Sequence, residues 1–296
     1  MKLTSLHLLI TYKCNLKCDH CFVWGGPRRD GLMSMADIRL ILGQARQVGT
    51  IRSIYFEGGE PFLYYPLLIE AVKEAAGQGF AVGMVTNAFW ASTPERALEK
   101  LQPFAGLVRD LSISSDLYHW GNPSGNRAHN ACQAAGQLGI PVGTISIAQP
   151  EAGAASHPSG QRPMGESGVM YRGRAAAKLA GRAPRHDWEG FDRCSSENLG
   201  QPGRLHLDPA GNLLICEGIS LGNIFQESLA EICARYEPET HPVIGPLMAG
   251  GPAELVRRYD LPHEASYADA CHLCYQARGL LRSRYPEILM PAQIYQ

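Results

Sequence analysis

The first half of the chain alternates short apolar segments with segments in which apolar residues recur at helical spacing. The apolar segments predict strands at 6–11, 53–57, 80–86, 111–115 and 142–147, and a weaker strand at 169–172. Helices are predicted between them, at 34–48, 66–76, 94–101 and 127–138. Repeated β-α units predict an α/β fold with a parallel sheet, and six units suffice for a partial, TIM-like (β/α)6 barrel but not for the full eight.

The amino-acid composition of the sequence changes after these units. Residues 149–168 are rich in Gly, Pro, Ser and Ala and predict a long loop. Further on, residues 204–208 and 212–216 flank the turn Pro-Ala-Gly and predict a β-hairpin, and a short helix is predicted at 228–235. The chain is therefore predicted to divide into an α/β domain at 1–187, which includes the loop, and a small α+β domain at 188–296.

Composition narrows the class of protein. The 27 basic and 28 acidic residues give a net charge of −1, which disfavours nucleic acid or anionic lipid as a partner. No apolar run approaches the roughly 18 to 20 residues of a membrane span, and the short apolar stretch at the start has no signal-peptide cleavage site, so we expect a cytoplasmic protein. The chain has nine cysteines, an odd number, and in a reducing compartment the tight spacings among some of them indicate metal more than disulfides.

Three of these cysteines directly follow the first predicted strand. Cys14, Cys18 and Cys21 have the spacing C-x3-C-x2-C. Three thiolates can hold three irons of a [4Fe-4S] cube and leave the fourth iron open, whereas a cluster that only carries electrons normally takes four cysteines. An open iron indicates that a molecule other than the protein binds there.

The second predicted strand ends in Gly58, Gly59, Glu60 and Pro61. The carboxyl ends of parallel strands meet at one edge of a sheet, so this segment is predicted to lie beside the cysteines. The glycines let the backbone come close to a ligand, and Glu60 offers an acceptor for an ammonium group.

Together the two motifs resemble those of the radical S-adenosylmethionine (SAM) superfamily, with His20 in the position before the third cysteine, and the resemblance covers roughly residues 5–185. It implies a radical SAM barrel in which the open iron chelates the amino and carboxylate groups of SAM. The segment from Gly58 to Pro61 would hold the amino group. Reduction, by a partner such as flavodoxin or ferredoxin, would release a 5′-deoxyadenosyl radical that takes a hydrogen atom from the substrate.

Further polar residues follow later strands. Asn87, Ser114 and Asp116 lie where members of the family offer polar groups to SAM or substrate, although such residues also simply cap strands. His119 is the candidate acid or base, with a surface histidine as the alternative. In the segment Tyr-Arg-Gly-Arg-Ala, the resemblance implies that Arg172 or Arg174 pairs with the SAM carboxylate, unless it has a structural role.

Four cysteines fall in the second predicted domain: Cys194, Cys216, Cys271 and Cys274. Their arrangement resembles the twitch domain, a shortened SPASM domain, and implies one auxiliary [4Fe-4S] cluster. Structural zinc is the alternative, because sites of four cysteines use similar gaps. Cys132 and Cys233 lie in helical patterns and are interpreted as inert thiols.

The resemblance implies a radical SAM oxidoreductase. The auxiliary cluster would accept an electron from the substrate radical, which gives dehydrogenation or cross-linking of a small molecule or peptide. An alternative is maturation of a ribosomally made peptide. Because the cysteines begin at Cys14, we expect no leader-recognition domain ahead of them, so that reaction would need a separate partner. A non-catalytic iron–sulfur electron-transfer protein is the competing class, and it would not need the Gly58-Gly59 strand end.

Overall fold

Five parallel strands form the first part of the sheet in the computed structural model, which describes residues 1–120, 126–152 and 165–296. In chain order they are β1 (Ser5–Thr11), β2 (Ser53–Gly58), β3 (Ala81–Thr86), β4 (Val108–Ser114) and β5 (Val142–Ile145). Each predicted strand of this group is present, and the α/β fold is confirmed as a mostly parallel sheet with helices.

Helices connect these strands and cover the sheet. They are α1 (Met35–Val48), α2 (Tyr65–Gly77), α3 (Pro94–Leu101), α4 (Leu117–Trp120) and α5 (Asn126–Gln137). α1 begins at a capping box, in which Ser34 Oγ accepts from the Asp37 N–H and the Asp37 carboxylate accepts from the Ser34 N–H. Its apolar stripe, formed by Ile38, Ile41 and Leu42, is fully buried in the main core.

The predicted sixth strand at 169–172 does not form. In the described residues the nearest β-type pairing is one isolated parallel bridge between Ile147 and Ser167, just before this segment and just after β5. The next N–H groups bond elsewhere: that of Tyr171 to Asp269 Oδ2 (3.3 Å) and that of Arg172 to the Met170 carbonyl (2.8 Å). The backbone therefore turns away from the sheet edge, and residues 153–164 of the predicted loop lie outside the described residues.

The sheet continues into the C-terminal part of the chain. The predicted hairpin is present as β7 (Arg204–Leu207) and β8 (Asn212–Cys216), and β9 (Ile219–Asn223) follows; β7 pairs in parallel with β1, so the eight-stranded order is β5-β4-β3-β2-β1-β7-β8-β9. β1 thus lies inside the sheet, between β2 and β7. The division of the chain at residue 187 stays a prediction, and the main core extends across it.

In the part of the chain that the structure describes, the remaining strands and α-helices are two short strands and four helices. A two-residue strand, β6 (His186–Asp187), pairs with β10 (Ser266–Tyr267), and the helices are α6 (Arg174–Lys178), α7 (Leu229–Ala234), α8 (Ile244–Tyr259) and α9 (Ala270–Leu281). α7 is the predicted short helix, and Ser228 and Glu231 form a capping box at its start. Among the described helices, none combines the length and the apolarity that a bilayer crossing requires.

Asp208 holds the turn between β7 and β8 and ties it to β1. Its carboxylate is fully buried and accepts from the N–H groups of Ala210 and Asn212 (both 2.9 Å) and from the Asn212 amide (2.9 Å). The Tyr12 hydroxyl, just after β1, donates to the same carboxylate (3.1 Å). One side chain therefore satisfies four donors where the two parts of the sheet meet.

We expect Asp208→Ala to destabilise the protein by about 2 to 3 kcal/mol, because buried donors would lose their acceptor. This corresponds to a melting temperature lower by about 5 °C or more in thermal unfolding followed by circular dichroism. The exposed Asp30 provides the control, and Asp30→Ala should leave the melting temperature unchanged. Equal melting temperatures for both variants would contradict this role of Asp208.

Candidate active site

The carboxyl ends of the parallel strands surround one cavity of about 610 Å³, here called the main cavity. Residues from both sequence motifs line it: Cys14, Cys18, Cys21, Gly58 and Gly59. The structure therefore brings together the two segments that the sequence predicts to share an edge of the sheet. His20, Asn87, Ser114, His119 and Arg172 line the same cavity.

Backbone donors point at the sulfur atoms of the cysteine loop, defined here as residues 12–26 directly after β1. The Leu16 N–H donates to Cys14 Sγ (3.3 Å), and the Gly25 N–H donates to Cys21 Sγ (3.2 Å). Burial raises the pKa of Cys14 to about 12 and also raises the pKa of Cys18, so free thiols here are protonated. A metal would deprotonate them, and N–H···S bonds stabilise bound thiolates. The donor set and its surroundings fit an iron–sulfur cluster with three protein ligands.

Arg174 fixes the cysteine loop through hydrogen bonds to its backbone carbonyls. Its guanidinium is 2% exposed and donates to the carbonyls of Cys18 (2.7 Å) and Gly25 (2.5 Å), and its N–H donates to the Cys21 carbonyl (2.9 Å). The preceding Gly173 has φ of +58°, and a Cβ there would lie 2.4 Å from the Phe22 carbonyl oxygen. Since Arg174 does not line the main cavity, this geometry favours the structural role over pairing with a SAM carboxylate.

The glycine pair lets β2 end directly against the cysteine loop. The Gly59 N–H donates to the Thr11 carbonyl (2.7 Å), and the Glu60 N–H donates to the Lys13 carbonyl (2.9 Å). A Cβ on Gly59 would lie 2.2 Å from the Lys13 oxygen, and one on Gly58, whose φ is +145°, would lie 2.4 Å from the Thr11 oxygen. The close approach that requires glycine is therefore first to the cysteine loop, while both glycines also border the cavity.

Glu60 lies in the protein interior, where its carboxylate is already occupied. It is fully buried and accepts from the Phe62 N–H (3.0 Å), the Thr86 hydroxyl (2.9 Å) and the Asn87 N–H (2.7 Å). Burial raises its pKa to about 7, against these hydrogen bonds, which favour the ionised form. Because Glu60 does not line the cavity, the arrangement favours positioning of the β3 end over direct binding of an ammonium group. Pro61 starts the 3₁₀ turn Pro61–Tyr64 and is buried.

Asn87 connects the end of β3 to the cysteine loop. Its side-chain amide donates to Asn15 Oδ1 (2.9 Å) and approaches Cys14 Sγ (3.6 Å), and its Oδ1 accepts from the Phe89 N–H (3.0 Å). The predicted strand-end residue therefore contacts a candidate metal ligand. Ser114, at the end of β4, lines the cavity on the neighbouring strand.

Asp116 orients the histidine that the sequence singles out. Its Oδ1 lies 2.7 Å from His119 Nδ1 and also accepts the Tyr118 and His119 N–H groups, while Oδ2 accepts from the Ile147 N–H. Burial opposes ionisation, yet the bond from His119 lowers the pKa of Asp116. A carboxylate on Nδ1 leaves Nε2 as the free ring nitrogen. His119 lines the cavity, and the centre of its ring lies 5.0 Å from the centre of the His20 ring. Burial lowers the pKa of His20 to about 4.

Arg172 lies between the main cavity and a second, smaller one. It lines both, and the smaller cavity is also lined by the four auxiliary cysteines, Cys194, Cys216, Cys271 and Cys274. Arg172 Nη1 donates to Cys216 Sγ (3.1 Å) and lies 3.0 Å from Glu217 Oε2. This guanidinium is thus engaged with an auxiliary cysteine and a buried carboxylate rather than free to pair with SAM.

Sequence reasoning missed a polar face inside the sheet. Alternate residues of β1, β2, β4 and β7 point into the main cavity: Ser5, His7, Ser53, Tyr55, Glu57, Asp110, Ser112, Ser114, Arg204 and His206. The signal was available as a polar residue at every second position of otherwise apolar segments, since successive side chains of a strand alternate between its faces. We call this set the inner polar face.

Comparison with known proteins gives a family for the first half of the chain. Residues 8–148 match the model of the radical SAM superfamily. YydG of Bacillus subtilis, named for peptide biosynthesis, is 32% identical over 108 residues, which are 36% of this chain and 34% of YydG. The tungsten-containing aldehyde ferredoxin oxidoreductase cofactor-modifying protein of Pyrococcus furiosus is 37% identical over 83 residues, 28% of this chain and 23% of the relative. The matched segments thus span about a third or less of these relatives.

The fold also resembles a solved structure over most of its length. SuiB of Streptococcus suis, in a crystal structure bound to S-adenosylmethionine, superposes with a TM-score of 0.53. The sequence identity is 12%, and the superposition covers 86% of this chain and 75% of SuiB. At this identity the comparison shows a common fold.

Glu60 could position the end of β3 or contact SAM directly, and one substitution separates these two roles. In Glu60→Gln, an amide NH₂ would face the donors that now bond to a carboxylate oxygen, so we expect the ligand-free protein to lose about 1 to 3 kcal/mol of stability. The melting temperature without SAM should fall by several degrees, whereas Glu70→Gln at an exposed position should leave it unchanged. A variant with normal ligand-free stability and weakened SAM binding would instead indicate direct contact with the ligand.

Proposed function

Since the chain carries a radical SAM domain at residues 8–148, we propose that it is an enzyme that cleaves SAM reductively and oxidises a substrate radical. The observation that carries this proposal is that three cysteines, a glycine-rich strand end and a carboxylate-oriented histidine open on one cavity. A protein that only transfers electrons has no use for such a cavity beside its cluster.

Cys14, Cys18 and Cys21 would hold the [4Fe-4S] cluster, and the N–H donors at Cys14 and Cys21 support that assignment. When bound, the cluster supplies the electron that cleaves SAM into methionine and a 5′-deoxyadenosyl radical. The protein's own contribution is to fix the loop, through Arg174 from one side and the backbone of Gly59 from the other. An external reductant such as flavodoxin or ferredoxin would deliver the electron.

SAM and the substrate would share the main cavity. The backbone of Gly58 and Gly59 and the side chain of Ser114 border it at the strand ends, so we assign them to SAM. His119 would hold or move a proton at Nε2, because Asp116 occupies Nδ1. The rest of the inner polar face would contact the substrate, which is a small molecule or a peptide residue.

The auxiliary cysteines would hold a second [4Fe-4S] cluster that accepts the electron from the substrate radical. Two buried arginines, Arg172 and Arg278, line the cysteine-rich cavity, and their positive charge suits the negative charge of four thiolates around a cluster. Among the described residues, some groups of three potential ligand residues have their ligand atoms within 4.8 Å of one another. None of these groups contains more than one cysteine, so the auxiliary sulfur atoms are not gathered that closely. A single zinc with bonds of about 2.3 Å would bring thiolates within about 4 Å of each other, so the spacing favours a cluster.

A peptide substrate is the second candidate for the same chemistry. YydG is named for peptide biosynthesis, and it is 32% identical to this chain over 108 residues. The reaction would then be modification of a ribosomally made peptide, with its recognition provided by a separate partner. A cytoplasmic location fits the need for a reduced cluster in either case.

The role of Cys14, Cys18 and Cys21 in SAM cleavage can be tested directly. After anaerobic reconstitution, the protein should form 5′-deoxyadenosine from SAM and dithionite, as measured by liquid chromatography and mass spectrometry. Replacing Cys14, Cys18 and Cys21 by alanine should reduce that product to the level of a protein-free control, because no ligands would remain for the cluster. Cys132→Ala, on α5, should keep full activity. Cleavage that survives the triple replacement would refute the proposal.

The content of the auxiliary site can be tested by counting iron. The reconstituted protein should contain about eight irons per chain, and Cys271→Ala combined with Cys274→Ala should lower this to about four, because one of two four-iron clusters is lost. SAM cleavage should persist in this double variant, since the initiating cysteines are intact. About four irons together with one zinc in the unaltered protein would show that the auxiliary site is a zinc site.

A further inference from the structure

Two histidines and a glutamate of the inner polar face converge on one point of the main cavity. His7 Nδ1 lies 2.7 Å from Glu57 Oε1, and His206 Nε2 lies 3.5 Å from the same oxygen. One ligand atom from each of the three residues lies within 4.8 Å of those of the other two. We propose that His7, Glu57 and His206 form a binding site for a divalent transition-metal ion, separate from both sets of cysteines.

The fold itself produces this convergence. His7 lies on β1 and is in register with His206 on β7 and with Tyr55 on β2, and Glu57 follows two residues after Tyr55 on the same face of β2. Residues of three adjacent strands therefore project side by side into the cavity. Such a site is built on rigid sheet rather than on a loop, which favours precise placement of the ligands.

The distances match coordination geometry. Bonds of about 2.1 Å from one ion to nitrogen and oxygen place neighbouring ligand atoms about 3.0 Å apart in an octahedron and about 3.4 Å apart in a tetrahedron. The two observed separations, 2.7 and 3.5 Å, bracket these values. A pair of imidazoles with one carboxylate is a ligand set suited to iron(II), manganese or zinc and leaves coordination positions open.

Outer contacts orient both histidines as metal ligands usually are. His206 is 8% exposed, and its second nitrogen, Nδ1, lies 3.3 Å from Glu217 Oε1 without forming a hydrogen bond, so a small rotation of the ring on metal binding would complete a carboxylate–histidine–metal arrangement. Arg172 in turn approaches Glu217 (3.0 Å). His7 is stacked on Tyr55 with ring centres 4.4 Å apart, and the Tyr55 hydroxyl donates to Asp110 (2.7 Å).

The local charge also favours a cation. Around the three residues, the carboxylates of Glu57, Glu197 and Glu217 line the cavity together with the guanidinium groups of Arg172 and Arg204. A divalent cation would add positive charge beside these three carboxylates. Its open coordination positions would face the cavity, where an oxygen or nitrogen atom of the substrate could bind.

The test measures metal binding and does not depend on SAM cleavage. Protein with reconstituted clusters, so that the cysteines are occupied, is titrated with Mn²⁺, and free Mn²⁺ is followed by its six-line electron paramagnetic resonance signal. We expect one Mn²⁺ bound per chain and its displacement by Zn²⁺. Glu57→Gln and His206→Gln should weaken binding at least tenfold, and Glu217→Gln by about tenfold, as for other outer carboxylates. His129→Gln, at an exposed position of α5, should bind normally.

The iron content and melting temperature of each variant show whether it is folded. If a variant has lost iron or has a lower melting temperature, the test uses the unaltered protein instead. Electron spin echo modulation of Mn²⁺ bound to that protein must then show coupling to imidazole nitrogen. Failure of the unaltered protein to bind Mn²⁺ or Zn²⁺, undiminished binding by the folded variants, or bound Mn²⁺ without nitrogen coupling would each overturn the proposal. SAM cleavage could still occur in all three cases, so the proposed function would stand.

Discussion

The parallel pairing of β1 on both sides is the constraint on which the site depends. On one side β2 brings its glycine pair against the backbone of the cysteine loop, and on the other side β7 brings His206 beside His7. β7 continues into β8, which ends at Cys216, so one of the auxiliary cysteines belongs to the same sheet as the strand that precedes the cysteine loop. A shift of either neighbour by one residue would reverse which side chains face the cavity.

Buried charged groups then fix what the strands bring together. Arg174 and Glu60 are almost completely buried, and each is satisfied largely by backbone groups of the segments that it joins. Burying such groups without partners would be costly, so their hydrogen bonds specify one arrangement of the loops. This explains why residues expected to bind the cofactor can lie beside the cavity without reaching it. They determine the positions of the groups that do.

The sequence predicted the elements whose signals are local. Periodicity of the apolar residues located β1 to β5 and the helices α1, α2, α3 and α5, and the cysteine spacing located the loop after β1. The failures involve partners that are distant along the chain. Residues 169–172 read as a strand because they are apolar, but Asp269 captures the Tyr171 N–H, and that contact spans 98 residues. The pairing of β7 with β1 is equally distant, and without it His7 and His206 are two unrelated histidines.

Arg172 shows how closely the two cysteine sites and the inner polar face are connected. Its buried guanidinium lies 3.0 Å from Glu217 Oε2 and donates to Cys216 Sγ at 3.1 Å, while Glu217 Oε1 lies 3.3 Å from His206. A guanidinium this deeply buried requires negative charge around it, and a carboxylate together with cysteine thiolates provides it. In a low-dielectric interior, a change of charge at the auxiliary cysteines would therefore act through Arg172 and Glu217 on the histidine that faces the cavity. If these cysteines hold the cluster proposed above, an electron that arrives there would alter the electrostatics of the inner polar face without any movement of the fold.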